Sequence, residues 1–556
     1  MIRTVVSALL ALLTAFSSFV AAQSSAPISP ELKQQFEQLI GKETESRAAA
    51  YPVLEKSGNG ALVPALEAFR SGLLERRTDG RLVIYLSRVD VNGQSMFPIA
   101  DAWTLEPLKQ TDGSPLYAPG LSSGMLKSDS SNADSLARLI AVLSVHHPDP
   151  EKRRNAIIDV ANRVDRTLLA DLQEQLKTES AGEIATTLRE SIARIQLASG
   201  SAEERLAAVK VLEELGTSRG LGDLRAALDT AREAANVPLV EAIEGALATV
   251  ESYQWKVRMV HHTFAGLSLG SILVLLALGL SIIFGLMRVI NLAHGEFMMV
   301  GAYTAFVVAE FFKAYVPASL FNYYFVLALP LAFLVTGLVG MLCEFAVIRH
   351  LYGRPIETLL ATWGISLLLI QTARLIFGDT TSLTPPGWLQ GGWEVAPDLV
   401  LPLNRVFIIV FCAACIVGVY YLVQRTRFGL LLRATTQDRP IAAALGVPTR
   451  WIDGLTFGFG AGLAGVAGAI VPLFDKLNPN MGQGYVVDSF MVVVVGGVGK
   501  LAGAITAGGA LGFLTKYIEP FLEAVYGKLA VLGLIILFLQ WRPSGLFPHR
   551  GRLAED

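Results

Sequence analysis

Charge is scarce in this chain and cysteine is scarcer. Of 556 residues only 17% are Asp, Glu, Lys or Arg, and 46 basic residues stand against 48 acidic ones, a formal net charge of −2. With no basic excess and a pI near 6.4, the electrostatic footprint of phosphate-backbone binding is missing, which argues against a nucleic-acid partner. The three cysteines, Cys343, Cys412 and Cys415, all lie in apolar stretches and can build neither a disulfide framework nor a paired CxxC zinc site. Cys412-x-x-Cys415 reads as two small apolar residues on a helix. Gly460-x-Gly462-x-x-Gly465 matches a dinucleotide fingerprint in form only, because it sits inside an apolar run rather than between a strand and a helix. Gly499-Lys500-Leu501 lacks the rest of a phosphate loop. The sequence therefore offers no catalytic residues, no metal ligands, no cofactor site and no means of hydrolysing ATP.

What the chain has in excess is apolar surface: 52% of its residues are hydrophobic and the mean hydropathy is +0.47. A soluble protein this apolar could not cover itself with polar groups, so a membrane protein is expected. The charges are also unevenly spread, since residues 1–256 hold nearly two thirds of them. Met1–Ala22 carries Arg3, an apolar run Val5–Leu13 and Val20-Ala-Ala22, the pattern of a secretory signal peptide, with a short anchoring helix as the alternative. In either case the soluble segment after Ala22 is exported.

Residues 23–252 read as a mainly helical soluble domain. Asp134–Val145, Lys152–Val164, Ile184–Leu197, Glu203–Leu215 and Leu239–Val250 space apolar residues three and four apart. The stretches from Pro150 and from Ala202 match in pattern, which suggests HEAT-like stacked helix pairs. Arg81–Arg88 and Gln94–Ile99, joined at Asn92-Gly93, read as a β-hairpin. His146-His147 read as a solvated loop.

After Trp255 apolar segments recur at roughly the 20 residues that a helix needs to cross ~30 Å of hydrocarbon. Crossings are predicted near 261–285, 290–312, 321–346, 356–377, 404–424, 451–474, 485–499, 501–518 and 528–541, roughly eight or nine in an all-α bundle. The seventh is short and Gly-rich, as a broken or re-entrant element would be. Arg349, Arg354, the cluster Arg425, Arg427, Arg433, Arg439 and Arg450, and Arg542 mark cytoplasmic loops. The loop 378–404 has no Lys or Arg and belongs outside. Counting back puts Trp255 outside too, in agreement with an exported N-terminal domain. Gly266-x-x-x-Gly270 and Gly458-x-x-x-Gly462 mark faces where helices approach closely in lipid.

Ionisable and polar groups in such spans are candidate sites. The densest cluster is Asn291, His294 and Glu296, where Gly295 suggests an interrupted helix lining a pathway; the alternative is that His294 and Glu296 satisfy each other and pin two helices. Thr362, Ser366 and Gln371 in the fourth crossing and Asp488 in the seventh could hydrogen-bond a polar solute. Glu310 and Glu344 lie near span ends, where snorkelling is the simpler reading. In the Arg-rich loop, Asp438 caps a short Ala-rich helix with Pro440 in its first turn and Gly446 as its stop. That helix could dock in another protein's groove or be a solvated connector.

Gly266-Leu-Ser-Leu-Gly-Ser, Asn291-Leu-Ala-His-Gly-Glu-Phe-Met-Met-Val-Gly301, Arg433-Ala-Thr-Thr-Gln-Asp438 with Ala444-Leu-Gly446-Val447, Val495–Ala504 and Arg542-Pro-Ser-Gly-Leu-Phe547 together resemble the LivH-type permeases of branched-chain amino-acid ABC importers. The resemblance covers residues 258–548. The exported domain before them resembles the UrtB family of urea-transporter permeases, in which such extensions occur, and points to urea or short amides, with branched-chain amino acids as the alternative. The resemblance implies a subunit of a bacterial inner-membrane importer. Its partners would be a second related permease, two cytoplasmic ATPase subunits, a periplasmic substrate-binding protein and the surrounding lipid. It also implies that Asp438, Ala442, Ala443, Leu445 and Gly446 form the element that couples to an ATPase.

Overall fold

The computed structural model describes residues 28–547 except 42, 78, 87–88, 92–93, 110–115, 121–123, 130–131, 148, 181, 288 and 523. The signal segment at residues 1–22 and the Asn92-Gly93 turn lie outside the described residues. The chain divides into two compact units, Met1–Gln254 and Trp255–Asp556.

In the first unit, helices α1 (Pro30–Ile40), α2 (Thr44–Lys56) and α3 (Val63–Ser71) precede strands β1 (Leu74–Arg76), β2 (Leu82–Tyr85), β3 (Val89–Val91), β4 (Gln94–Asp101), β5 (Tyr117–Ala118) and β6 (Met125–Leu126). The strands form one antiparallel sheet in the order β3-β4-β2-β1-β6, with β5 on β4. Val89 stands opposite Met96 and Val91 opposite Gln94 in a hairpin of β3 and β4, whereas the expected strand 81–88 meets the expected strand 94–99 only at Tyr85 opposite Ile99. The cause is that β2 is apolar on both sides. Leu82 and Ile84 pack with Phe36 and Leu66, while Val83 and Tyr85 pack with Ile99, as successive side chains of a strand must point to opposite faces.

Helices α4 (Ala133–Ser144), α5 (Pro150–Asn162), α6 (Leu169–Thr178), α7 (Gly182–Ser199), α8 (Ala202–Leu215) and α9 (Ser218–Glu233) come next, and then α10 (Val237–Met287). The two matching stretches both open helices. Asp149 caps α5, accepting from Glu151 N at 2.9 Å, and Ser201 with Glu204 forms a capping box on α8. Helix α7 serves two clusters. Ile184, Leu188, Ile192 and Ile195 join α4–α6, and Ala193 and Leu197 join α8–α10. The unit is helical for the most part, with a six-stranded sheet where the sequence reading put a single hairpin.

The second unit contains α11 (His294–Tyr315), α12 (Tyr324–Ala346), α13 (Pro355–Phe377), α14 (Leu403–Arg425), α15 (Arg427–Gln437), α16 (Arg439–Ala444), α17 (Thr449–Ile470), α18 (Met481–Gly496), α19 (Leu501–Ile518) and α20 (Ala524–Trp541). Among the described residues seven helices are long and apolar enough to cross a membrane: α10, α11, α12, α13, α14, α17 and α19. Of the predicted crossings, α18 and α20 are shorter apolar helices. At ~1.5 Å per residue the 16-residue α18 falls short of the hydrocarbon thickness.

Helix α17 is the axis of this unit, buried almost continuously from Phe457 to Ile470. Its small residues permit this. A Cβ added to Gly301 of α11 would collide with the Gly465 carbonyl of α17, so these two backbones touch where a side chain would hold them apart. Phe297 meets Phe457 edge to face at 5.9 Å. The loop 378–404 folds over one end of the bundle with its own hairpin, β7 (Gly392–Ala396) against β8 (Leu399–Pro402). Paired backbone hydrogen bonds of 3.0 Å between Thr381 and Leu477 tie it down. Tyr324 Oη donates to Thr384 O (2.8 Å) and Trp388 Nε1 to Asn322 O (2.9 Å).

Candidate functional site

Between α10 and α11 the helical path breaks among buried residues, and the break is held by side chains. Asn291 Oδ1 accepts from Ala293 N at 3.1 Å. Thr362, brought in by α13, accepts from Leu292 N (3.2 Å) and donates to Ile290 O (3.3 Å) through its hydroxyl. Backbone groups freed by a break must find such partners where no bulk water reaches. His294 Nε2 donates to the Leu276 carbonyl at 3.0 Å, and Glu296 takes a hydrogen bond from Ser366. The mutual His294–Glu296 pairing that the sequence allowed is thus replaced by one bond from each to a different helix.

Asn291, His294 and Thr362 are 0% exposed, Glu296 1% and Ser366 5%. Asn291 Nδ2, His294 Nδ1 and Glu296 Oε2 have no hydrogen-bond partner among the described residues. Leaving buried polar atoms unpaired costs roughly 1–3 kcal/mol each. Thr362 of α13 holds the break beside Asn291 and Ser366 of the same helix bonds Glu296, whereas His294 turns to α10. Gln371 lies apart, exposed on α13 with its Oε1 3.5 Å from Arg374 Nη1.

Asp488 belongs to a different site. With Arg405, Asp475, Lys516, Glu519 and Lys528 it lines a cavity of ≈ 280 Å³ whose other walls include Leu269, Leu273, Phe474, Met491, Leu511 and Val531. Lys528 Nζ stands 3.8 Å from Asp488 and Lys516 Nζ 2.5 Å from Glu519. Charges of both signs at an apolar cavity are what a zwitterion with a hydrocarbon side chain would need. The sequence reading found Asp488 but not its companions, which are distant in the chain.

At the opposite end of the bundle the short helix forms as its residues dictate. Asp438 Oδ1 accepts from Ile441 N at 3.0 Å, and Gly446 closes α16 in the left-handed region (φ 86°), with Val447 N returning to Ala442 O (3.0 Å). Ala442 is buried, whereas Ile441 is 58% and Leu445 80% exposed. Arg439 reaches back to the bundle, with Nη2 2.5 Å from Asp453 Oδ2 of α17 and its guanidinium 4.9 Å from the centre of the Tyr352 ring. Tyr352 Oη donates to Glu344 Oε1 (2.9 Å), and Arg349 Nη2 lies 3.1 Å from Glu344 Oε2. Burial, and then the Glu344 and Asp453 carboxylates, push the Tyr352 phenol well above its ordinary range.

Glu344 does not snorkel. It is 1% exposed because Arg349 and Tyr352 compensate it in place. Glu310 pairs with Lys313 at 2.6 Å on the surface. Sequence reasoning missed Tyr352 and Asp453; the available signal for Asp453 was an acid near the start of an otherwise apolar helix, downstream of an arginine. Cys412 and Cys415 are free thiols on α14. His146 has an acidic neighbour, Asp171, at 3.0 Å, but the described residues contain no His, Cys, Asp or Glu group able to hold a metal.

Residues 262–539 match the family described as branched-chain amino acid transport system / permease component. The chain is 29% identical over 287 residues to the high-affinity branched-chain amino acid transport system permease protein BraD of Pseudomonas aeruginosa, covering 50% of this chain and 93% of that one. It is 27% identical over 307 residues to LivH of Escherichia coli K12 (51% and 93%) and 27% identical over 308 residues to LivM of the same strain (50% and 69%). No solved structure matches. The multi-pass bundle and the match over its length agree: the chain is a transport subunit that belongs to the branched-chain amino acid transport system permease family.

Proposed function

We propose that this chain forms half of the translocation path of an ATP-driven importer in a bacterial inner membrane, and that its substrates are branched-chain amino acids. The observation that carries the substrate class is the cavity in which Arg405, Lys516 and Lys528 stand with Asp475, Asp488 and Glu519 beside apolar walls. A zwitterion wants charged partners of both signs, whereas urea wants neutral donors and acceptors. The names of the similar BraD and LivH proteins point the same way. Likeness to both LivH and LivM supports a second, related permease as partner.

Urea remains the second reading. It is favoured by the unit Met1–Gln254, which lies before the matched residues and carries the resemblance to urea permeases.

On this reading residues 1–22 direct export, the domain of residues 23–252 is periplasmic, and the cavity around Asp488 opens on that side. The Asn291–Glu296 cluster lies further along the path, where its orphaned atoms would meet the solute. Helix α16 then docks by Ile441 and Leu445 on one of two ATPase subunits, and Arg439 carries the movement to α17. A binding protein supplies affinity, because a permease that held substrate tightly would release it slowly.

The test is uptake of labelled leucine and labelled urea in a deletion strain complemented with this chain. Restored leucine uptake, abolished when Asp488 is replaced by Asn and ATP is depleted, supports the proposal. Restored urea uptake alone transfers the assignment to urea, and uptake that survives loss of the ATPases overturns the coupled mechanism.

A further inference from the structure

A second cavity, of ≈ 530 Å³, opens between α10, α14 and α19 at the end of the bundle that carries the Arg-rich loop. Its walls are hydrocarbon, among them Leu278, Ile416 and Ile505. Its rim holds Arg433, Lys500 and Gln424, and no carboxylate lines it. Arg433 is held in position, donating through Nε to Gly429 O and through Nη1 to Gln424 Oε1, both at 3.2 Å. Lys500, just before α19, has no carboxylate within salt-bridge distance among the described residues.

An independent observation points to a ligand. Ser281 lines this cavity and is 2% exposed, and its hydroxyl has no hydrogen-bond partner among the described residues. A serine in a membrane helix ordinarily bonds back to its own backbone, as Ser271 does to Leu267 O at 2.7 Å. Ser281 keeps its hydroxyl unspent.

We infer that this cavity binds an anionic phospholipid, with a phosphodiester between Arg433 and Lys500, a headgroup or ester oxygen on Ser281 and an acyl chain along the apolar walls. Two cations over a hydrocarbon crevice match the two parts of such a lipid, and basic pockets between helices are general receptors for anionic headgroups. A second permease would have to bury both cations against its own acids to occupy the same place. The transported solute, small and free to leave, has no use for a long apolar crevice.

The experiment is native mass spectrometry of the purified full chain in neutral detergent, titrated with phosphatidylglycerol and, separately, with phosphatidylcholine of the same acyl chains. The wild type should retain phosphatidylglycerol preferentially. Lys500→Gln should weaken that retention about fivefold and Arg433→Gln with Lys500→Gln about twenty-fivefold, one factor for each basic side chain, with phosphatidylcholine unaffected. Arg433 also braces α15, so Lys500→Gln, whose side chain braces nothing described, keeps the inference testable if the double variant misfolds. Equal retention of the two lipids by the wild type overturns it, as does an unchanged preference in Lys500→Gln. Displacement of phosphatidylglycerol by glycerol phosphate alone would reassign the site to a soluble anion and overturn the lipid assignment.

Discussion

Arg439, the first residue of the short helix α16, is joined to Asp453, inside the buried helix α17, by a 2.5 Å ion pair. Asp453 is 7% exposed, so the pair couples a partly exposed cation to a largely buried anion. Replacing Arg439 by Ala strands that carboxylate, at a cost of about 1–3 kcal/mol, read as a lower melting midpoint in detergent. In the assembled transporter the expected outcome is uncoupling, with ATP still hydrolysed and less solute moved per turnover. The double variant Arg439→Asp with Asp453→Arg should recover part of the coupling. Equal losses in the swap and the single variant would assign the pair a packing role only.

Leu445 is the most exposed large apolar residue of the α16 segment. Leu445→Asp should leave the melting midpoint of the isolated chain unchanged, because the side chain touches solvent, and should abolish co-purification of the ATPase subunits. Normal assembly of this variant would move the docking surface elsewhere.

Gly301→Ala should destabilise the second unit by about 1–3 kcal/mol, the usual cost of forcing a methyl into a packed contact, because the Gly465 carbonyl occupies the space. Gly364→Ala, at a position with nothing within 4 Å, should be neutral. Thermal unfolding of both variants in one detergent gives the comparison, and a neutral Gly301→Ala would mean that α11 and α17 are less tightly apposed than the structure has them.

His294→Ala removes the bond to Leu276 O and opens space against α10 beside Gly279. Transport should fall more than the yield of folded, assembled subunit, whereas parallel loss of both would make His294 a structural staple.

Within the first unit, burial pushes the Asp165 carboxyl up. The hydrogen bonds from Thr167 and from Arg138, the latter at 2.5 Å, outweigh it and leave Asp165 below its ordinary 3.8. A carboxylate depressed on folding contributes stability that is fully present above 3.8 and is lost as pH falls through its lower native value. Protection factors from hydrogen exchange in α4 and α6 of the full chain should therefore fall on acidification below 3.8, and Asp165→Asn should flatten that response.

Helices were legible because their signals are local. The cap at Asp438, the apolar stripes of α4, α5, α7, α8 and the start of α10, and the stop at Gly446 all lie within a turn or two of what they control. An interruption was expected at Gly295, whereas the chain breaks before His294 and Gly295 lies inside α11. Three things were not legible. The sheet around β2 depends on strands distant from it in the chain. The length of α18 depends on where Gly496 ends the helix, since Gly497 turns back under Phe547. The Glu344–Tyr352–Arg439–Asp453 chain joins four elements whose proximity only the fold supplies. Buried charge is compensated by partners that sequence distance conceals.

The clasp of Thr381 on Leu477, reinforced by Tyr324 on Thr384 and Trp388 on Asn322, stitches the loop 378–404 to α12 and to the turn after α17. A tilt of those helices would carry the attached loop with it, because its anchoring hydrogen bonds are to them.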